Sequence, residues 1–254
     1  MDLRLARREY KFRLTDEQAQ RVLREIRERM PGDTHGARGA YPIVSEYYDT
    51  AERDAMWERD RRIGNRRKLR VRIYGTANGA IPPSAFLEIK HKQSGVGVKR
   101  RLRVPVEAVM DPAFDAGALI RGLQPRLKKR GDLVLAEEML KLLDERGVRP
   151  SIQMRYDRLA YEGDDDLRIT FDQAIKCRVE RRPLFPDDPD FPCDVLPPGE
   201  MVMEVKLYET APYWLREMTA RQQLTRTPFS KYCTALQLFD PVVSPLIARR
   251  RCCA

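Results

Sequence analysis

Histidine is nearly absent. Only His35 and His91 occur in 254 residues, and the five cysteines (Cys177, Cys193, Cys233, Cys252 and Cys253) form no pair of C-x-x-C motifs. This argues against the common structural zinc sites, which draw on clustered Cys and His. The odd number and irregular spacing of the cysteines also speak against a disulfide framework and for a reducing compartment. No run approaches the roughly 18 apolar residues of a spanning helix. The opening segment MDLRLARREYKF has no apolar core of signal-peptide length. A soluble, cytoplasmic protein is therefore expected. Aromatic residues make up 8 % and fall mainly on expected apolar faces. Nucleic-acid binders usually interleave exposed aromatics with basic residues, so no nucleic acid is expected as partner. No fixed-period repeat or linker divides the chain. Residues 1–254 are expected to form one domain, with a core over 7–239 and a basic tail over 240–254.

What is abundant is positive charge. The formal net charge is +10, with charged residues at 34 %, which favours polyanionic partners such as phosphates, nucleotides or an anionic surface. The charges are patterned. Segments 7–14, 68–75, 86–92, 98–104, 165–173 and 201–207 alternate charged with apolar residues, and successive strand side chains point to opposite faces. Segments 42–50 and 148–162 are also expected strands. Gln93-Ser94-Gly95-Val96-Gly97 and Gly163-Asp164-Asp165 supply hairpin turns. Thr15 followed by Gln18 is a capping-box pattern for a helix over 16–30, stopped by Pro31-Gly32. Helical spacing of Leu133, Ala136, Leu140 and Leu143 predicts a second helix over 132–146, and a third is expected near 214–224.

Collected, the polar strand faces carry Glu9, Lys11, Arg13, Lys68, Arg70, Arg72, Glu88, Lys90, Lys92, Lys99, Arg101, Arg103, Arg168, Asp172, Glu204 and Lys206, twelve cations against four carboxylates. One such strand is an ordinary half-wet sheet. Six with the same excess sign would repel across the sheet unless an anion lies between them. The pattern predicts an α+β fold: an antiparallel β barrel, closed or nearly so, with a charged interior and helices packed outside. Arg and Lys suit phosphate oxygens. The scarce carboxylates, Glu204 and Glu9 foremost, then suit Mg2+ or Mn2+ bridging those oxygens. Alternatively each acid serves as an ion-pair partner.

The order of short motifs resembles the triphosphate tunnel superfamily, and within it the VTC-type polyphosphate polymerase domain. Glu9-Tyr10-Lys11, Tyr47-Tyr48-Asp49-Thr50, Arg70-Val71-Arg72-Ile73-Tyr74-Gly75, Glu88-Ile89-Lys90 with Lys99-Arg100-Arg101, Tyr156 with Arg158, Arg168-Ile169-Thr170-Phe171-Asp172, Glu204-Val205-Lys206 and Ser230-Lys231-Tyr232 follow one another along the chain. The resemblance implies an eight-stranded antiparallel tunnel and a divalent metal, Mn2+ or Mg2+. By position it implies phosphate contacts from Lys11, Arg70, Arg72, Lys90, Lys99, Arg158, Arg168 and Lys231, with Glu204 on the metal. The face pattern adds Arg101 and Lys206. The implied activity transfers the γ-phosphoryl of ATP to a growing inorganic polyphosphate chain. A metal-dependent triphosphatase of the same fold and a non-catalytic polyphosphate binder stay open. A membrane protein is a further expected partner, and the tail Arg249-Arg250-Arg251-Cys252-Cys253 offers a basic anchor. Two points of geometry stay open. Arg158 shares parity with Met154 and Tyr156 rather than with Arg155, so either a bulge re-aims it or Arg155 points inward. Glu88 either orients Lys90 or adds to the metal site.

Overall fold

Alternation along eight strands builds one curled antiparallel sheet. The computed structural model describes residues 8–33, 39–93, 96–164, 166–208 and 210–239. The expected turn residues Ser94, Gly95 and Asp165, His35 and the basic tail lie outside the described residues. In chain order the elements are β1 (Arg8–Leu14), α1 (Asp16–Arg29), β2 (Tyr41–Asp49), α2 (Asp54–Asp60), β3 (Asn65–Tyr74), β4 (Ser84–Gln93), β5 (Val96–Pro105), α3 (Val106–Met110), α4 (Ala116–Leu123), α5 (Arg130–Asp144), β6 (Arg149–Glu162), β7 (Arg168–Arg178), β8 (Cys193–Asp194), β9 (Met201–Leu207), α6 (Tyr213–Arg221) and α7 (Lys231–Phe239). The strands run side by side as β1-β9-β7-β6-β2-β3-β4-β5, with the two-residue β8 added beside β7. The end strands β1 and β5 do not pair with each other among the described residues. The sheet is thus a half-barrel, curled far enough for Lys90 of β4 to reach Glu9 of β1 at 3.4 Å.

The convex face is covered as the alternation requires. Leu69, Val71, Leu87, Ile89 and Leu102 pack against Leu135, Ala136 and Met139 of α5. Ile169, Phe171, Met203 and Val205 pack against Val22 and Ile26 of α1 and Met218 of α6. Helix α1 starts with the expected capping box: Thr15 accepts from the Gln18 N–H, and the Gln18 side chain accepts from the Thr15 N–H. Thr15→Ala should cost about 1 kcal/mol of stability, read as a lower urea midpoint with unchanged slope. Gly75 is required for a different reason: a Cβ there would lie 2.6 Å from Cγ of Pro42 and 3.0 Å from its carbonyl oxygen.

Two features depart from the alternation argument. First, the concave face is not charged throughout. On β2 and β6 it presents Ile43, Ser45, Tyr47, Ile152, Met154 and Tyr156, as the register to Arg70, Arg72 and Tyr74 shows. Most of these form a third core with Tyr232, Cys233 and Leu236 of α7. An apolar helix therefore packs against the concave side, which the charge pattern of the other strands did not foretell. Second, Arg158 needs no re-aiming. Its strand keeps one parity, with Met154, Tyr156 and Arg158 all concave, whereas Arg155 lies on the other face beside Asp157 at 3.3 Å. The register shift falls between Arg155 and Asp157 of β6, opposite Gln173 to Lys176 of β7. The extra residue is on β7, where Ala174 has φ 48°, so the bulge turns the partner strand and not Arg158.

Candidate functional site

The concave face gathers its charges from seven strands and one helix; four strands and the helix make the first wall. β1 supplies Glu9 and Lys11, β9 supplies Glu204 and Lys206, β7 supplies Asp172, and β6 supplies Arg158. Cross-strand register sets Lys11 opposite Glu204 and Arg158 opposite Asp172. α7 then inserts Lys231 among them. The Lys231 ammonium bonds to Asp172 and sits 3.2 Å from Glu204 Oε1. Lys11 donates to the same oxygen at 2.7 Å, and Lys206 lies 3.2 Å from Oε2. Arg158 grips both oxygens of Asp172 at 2.6 and 2.8 Å. Asp172, Glu204, Arg158 and Lys231 are all buried. Burial pushes the Glu204 carboxyl up, but Lys11, Lys231 and Lys206 outweigh it and hold it well below the usual carboxylate range. Asp172 is held down in the same way, by Arg158 and Lys231.

β3, β4 and β5 make the second wall. Arg70 forks onto Glu88 Oε2 through Nε and Nη2 at 2.8 and 2.6 Å, and Lys99 approaches Oε1 at 3.5 Å. Glu88 is fully buried and takes Arg70 and Lys99 as partners, whereas Lys90 turns to Glu9. The expectation that Glu88 orients Lys90 is thereby corrected: Arg70 and Lys99 occupy its oxygens, and Lys90 pairs with Glu9 of β1. Arg72 is the exception on this wall. It is 4 % exposed, and among the described residues no carboxylate lies within ion-pair distance of it. Its Nε donates to Ser45 Oγ at 2.9 Å, and its guanidinium lies 5.6 Å from the Tyr74 ring centre and 5.9 Å from that of Tyr156. Glu88 attracts it only from beyond ion-pair distance. A buried cation with no directly paired counter-charge is costly, and an anion on this face would relieve it.

The remaining expected residues sit toward the margins. Arg168 is taken up by Asp33 at 2.8 Å and by Glu162. Arg101 is exposed and lies over Phe86, 4.6 Å from the ring centre. The alternation argument missed the phenols. Tyr47 donates nothing to a carboxylate here; instead its oxygen accepts from Arg70 at 3.3 Å, and its ring stacks on Tyr232 at 5.3 Å. The signal was present in the Tyr47–Tyr48 and Tyr74–Gly75 segments but carries no charge pattern. Burial alone would raise the Tyr47 phenol, yet Arg70 and Arg72 bring it down to about 8. Against burial, Arg72 also brings Tyr74 down to about 8. Deprotonation at either ring would place an anion beside Arg72. Affinity of this face for any anionic ligand should therefore fall as pH rises through about 8, and Tyr47→Phe should blunt that fall. A titration by calorimetry that stays flat until lysines deprotonate would contradict this.

Among the described residues, no group of three or more His, Cys, Asp or Glu side chains is placed to hold a metal ion. Glu9 and Glu204 nonetheless share Lys11, at 3.1 and 2.7 Å. Mg2+ keeps several waters and takes one or two carboxylates plus substrate phosphates rather than an all-protein cage. The donor set fits an ion of that kind that arrives with phosphate. Against burial, Lys11 and Lys90 hold the Glu9 carboxyl down at about 2, so it is ionised and available.

With this geometry in hand, the likenesses to known proteins can be placed. No curated protein matches the chain. Solved structures align with it at low identity. A protein of Pyrococcus horikoshii OT3 aligns at 14 % identity and TM-score 0.48, over 91 % of this chain and 98 % of that one. HpAC1 of Hippeastrum, described as showing a dominant triphosphatase activity, aligns at 16 % and 0.49, over 91 % and 94 %. A protein of Vibrio parahaemolyticus aligns at 11 % and 0.44, over 91 % and 98 %. Likenesses this distant decide nothing about activity. The family comparison is stronger, since the VTC domain matches residues 6–240, which take in every strand of the curled sheet and the helix that carries Lys231. The chain belongs to the VTC domain family.

Proposed function

We propose that the chain is a polyphosphate polymerase that transfers the γ-phosphoryl group of ATP to a growing inorganic polyphosphate chain, in one phosphate-binding domain. The observation that carries this reading is Arg72: a buried guanidinium, lacking a carboxylate partner among the described residues, on a concave face already rich in Lys and Arg. Phosphate oxygens are the ligand that suits it.

In this reading Arg70, Arg72, Lys90 and Lys99 bind the phosphates from one wall, and Lys11, Arg158, Lys206 and Lys231 from the other, with Arg101 and Arg168 at the margins. These groups hold donor and acceptor in line, so the transfer begins from an oriented pair. Phosphoryl transfer asks little covalent chemistry of the protein; positioning and charge stabilisation carry it. Lys11 and Lys231 lie where charge on the transferred group is met by fixed cations in a largely buried site. Glu204 and Glu9 would hold Mn2+ or Mg2+, which when bound neutralises phosphate charge. Asp172 positions Arg158 and Lys231. No helix among the described residues is long and apolar enough to cross a membrane; a cytoplasmic setting and a membrane-protein partner belong to the same proposal.

Product analysis tests it. Incubation with ATP and Mn2+ is expected to yield ADP and long acid-labile phosphate chains. Orthophosphate or pyrophosphate without chains would replace this reading by a triphosphatase. Tight polyphosphate binding without turnover would replace it by a binding module.

A further inference from the structure

We propose that Phe86, with the Arg101 guanidinium lying over it, forms the subsite for the nucleobase of a nucleoside triphosphate; this rests on the phosphate site proposed above. Phe86 points to the concave side. It stands opposite Arg72 on β3 and Arg103 on β5, at a position where the neighbouring strands offer cations. Yet it belongs to none of the three apolar cores of the described residues and is only half-buried. Core packing therefore does not account for it. Tyr74 meets it edge-on, with ring centres 5.7 Å apart and planes at 74°. Arg101, 4.6 Å from the ring centre, is exposed, so its guanidinium is accessible from solvent.

A stack of this kind, aromatic ring then guanidinium, accepts a further π face. Bases stack on aromatic side chains and on Arg planes with little dependence on sequence. The spacing suits a nucleotide. Phe86 and Lys90 are four residues apart on one strand, about 13 Å, which leaves room for a phosphate chain and a sugar between them. Phe86 is also directly opposite Arg72, so phosphates held by Arg72 and Arg70 bring the base to the ring. An inorganic polyphosphate has no π face, and the Phe86 ring would offer it nothing. It would thus separate the ATP donor from the polyphosphate acceptor on one cationic surface.

The test compares two probes on the full chain: a non-hydrolysable ATP analogue and inorganic tripolyphosphate, each titrated calorimetrically. Phe86→Leu keeps apolar bulk and removes the ring; Phe86→Trp restores a ring. The leucine variant is expected to weaken the analogue roughly tenfold and leave tripolyphosphate within twofold of wild type, with tryptophan recovering most of the loss. Equal weakening of both probes by Phe86→Leu would overturn the proposal, because the ring would then only support the phosphate wall. No weakening of either would overturn it as well. Failure of the wild-type chain to bind tripolyphosphate at all would instead sink the underlying phosphate reading, and the subsite with it.

Discussion

Arg72→Met is expected to lose phosphate binding while leaving the ligand-free protein folded and at least as stable. Truncating one member of a buried charge pair costs about 2–5 kcal/mol, so affinity for tripolyphosphate should fall at least roughly thirtyfold, and turnover with it. Stability should move the other way. In the ligand-free protein Arg72 is buried against Ser45 Oγ and two aromatic rings, with Glu88 attracting it only from beyond ion-pair distance, and replacing buried charge by packed apolar atoms is often neutral or stabilising. Loss of the bond to Ser45 offsets part of that gain. Calorimetric titration and urea unfolding measure the two effects separately. Unchanged affinity would show that the cation serves the fold. A large drop in stability would show that attraction to Glu88 outweighs the cost of burying the cation.

Glu204→Gln should do the opposite: keep binding and lose turnover. Removing a negative charge leaves the face more cationic, so tripolyphosphate should bind at least as tightly. A carboxylate expected to hold a divalent ion is gone, and Lewis-acid stabilisation is worth several kcal/mol, a hundredfold or more in rate at about 1.4 kcal/mol per tenfold. The same substitution should destabilise the ligand-free chain, because Lys11, Lys206 and Lys231 lose their shared acceptor. Breaking a buried charge network by removing one partner costs about 3–5 kcal/mol. Tripolyphosphate should rescue the melting temperature by occupying the vacated charge. Turnover at the wild-type rate would remove Glu204 from the metal site. A pH consequence follows for the wild type. The carboxyls of Glu204 and Asp172 are held below their unfolded values. Their contribution to stability is therefore present above the unfolded carboxylate range and is lost as pH falls through the folded values. Acid unfolding should set in only well below pH 4.5, and earlier in Glu204→Gln.

Much of this was legible in the residues. Charged-apolar alternation is a direct consequence of strand geometry, so Lys11, Arg70, Arg72, Glu88, Lys99 and Glu204 could be assigned to one face before any coordinates. The capping box at Thr15 and Gln18 marked the first helix with equal clarity. Three features were hidden for physical reasons. On β2 and β6 the concave residues are Ile43, Met154 and Tyr156, which read like a core face because they are one: α7 packs on them. Asp172 read only as a charged-face residue, and its part in holding Arg158 and Lys231 depends on a helix arriving from 59 residues downstream, at Lys231. The bulge at Ala174 leaves no trace in the alternation of β6, so the parity of Arg158 looked wrong when it was right.

The central claim is that the concave cations form a phosphate site. A crystal structure of the chain with a non-hydrolysable ATP analogue and Mn2+ tests it most directly. The account predicts the triphosphate on the concave face, with phosphate oxygens on Arg70, Arg72, Lys11 and Lys231 and the metal against Glu204. Triphosphate bound on the convex side, or a concave face in which Arg72 stays against Ser45 with the analogue bound elsewhere, would contradict it.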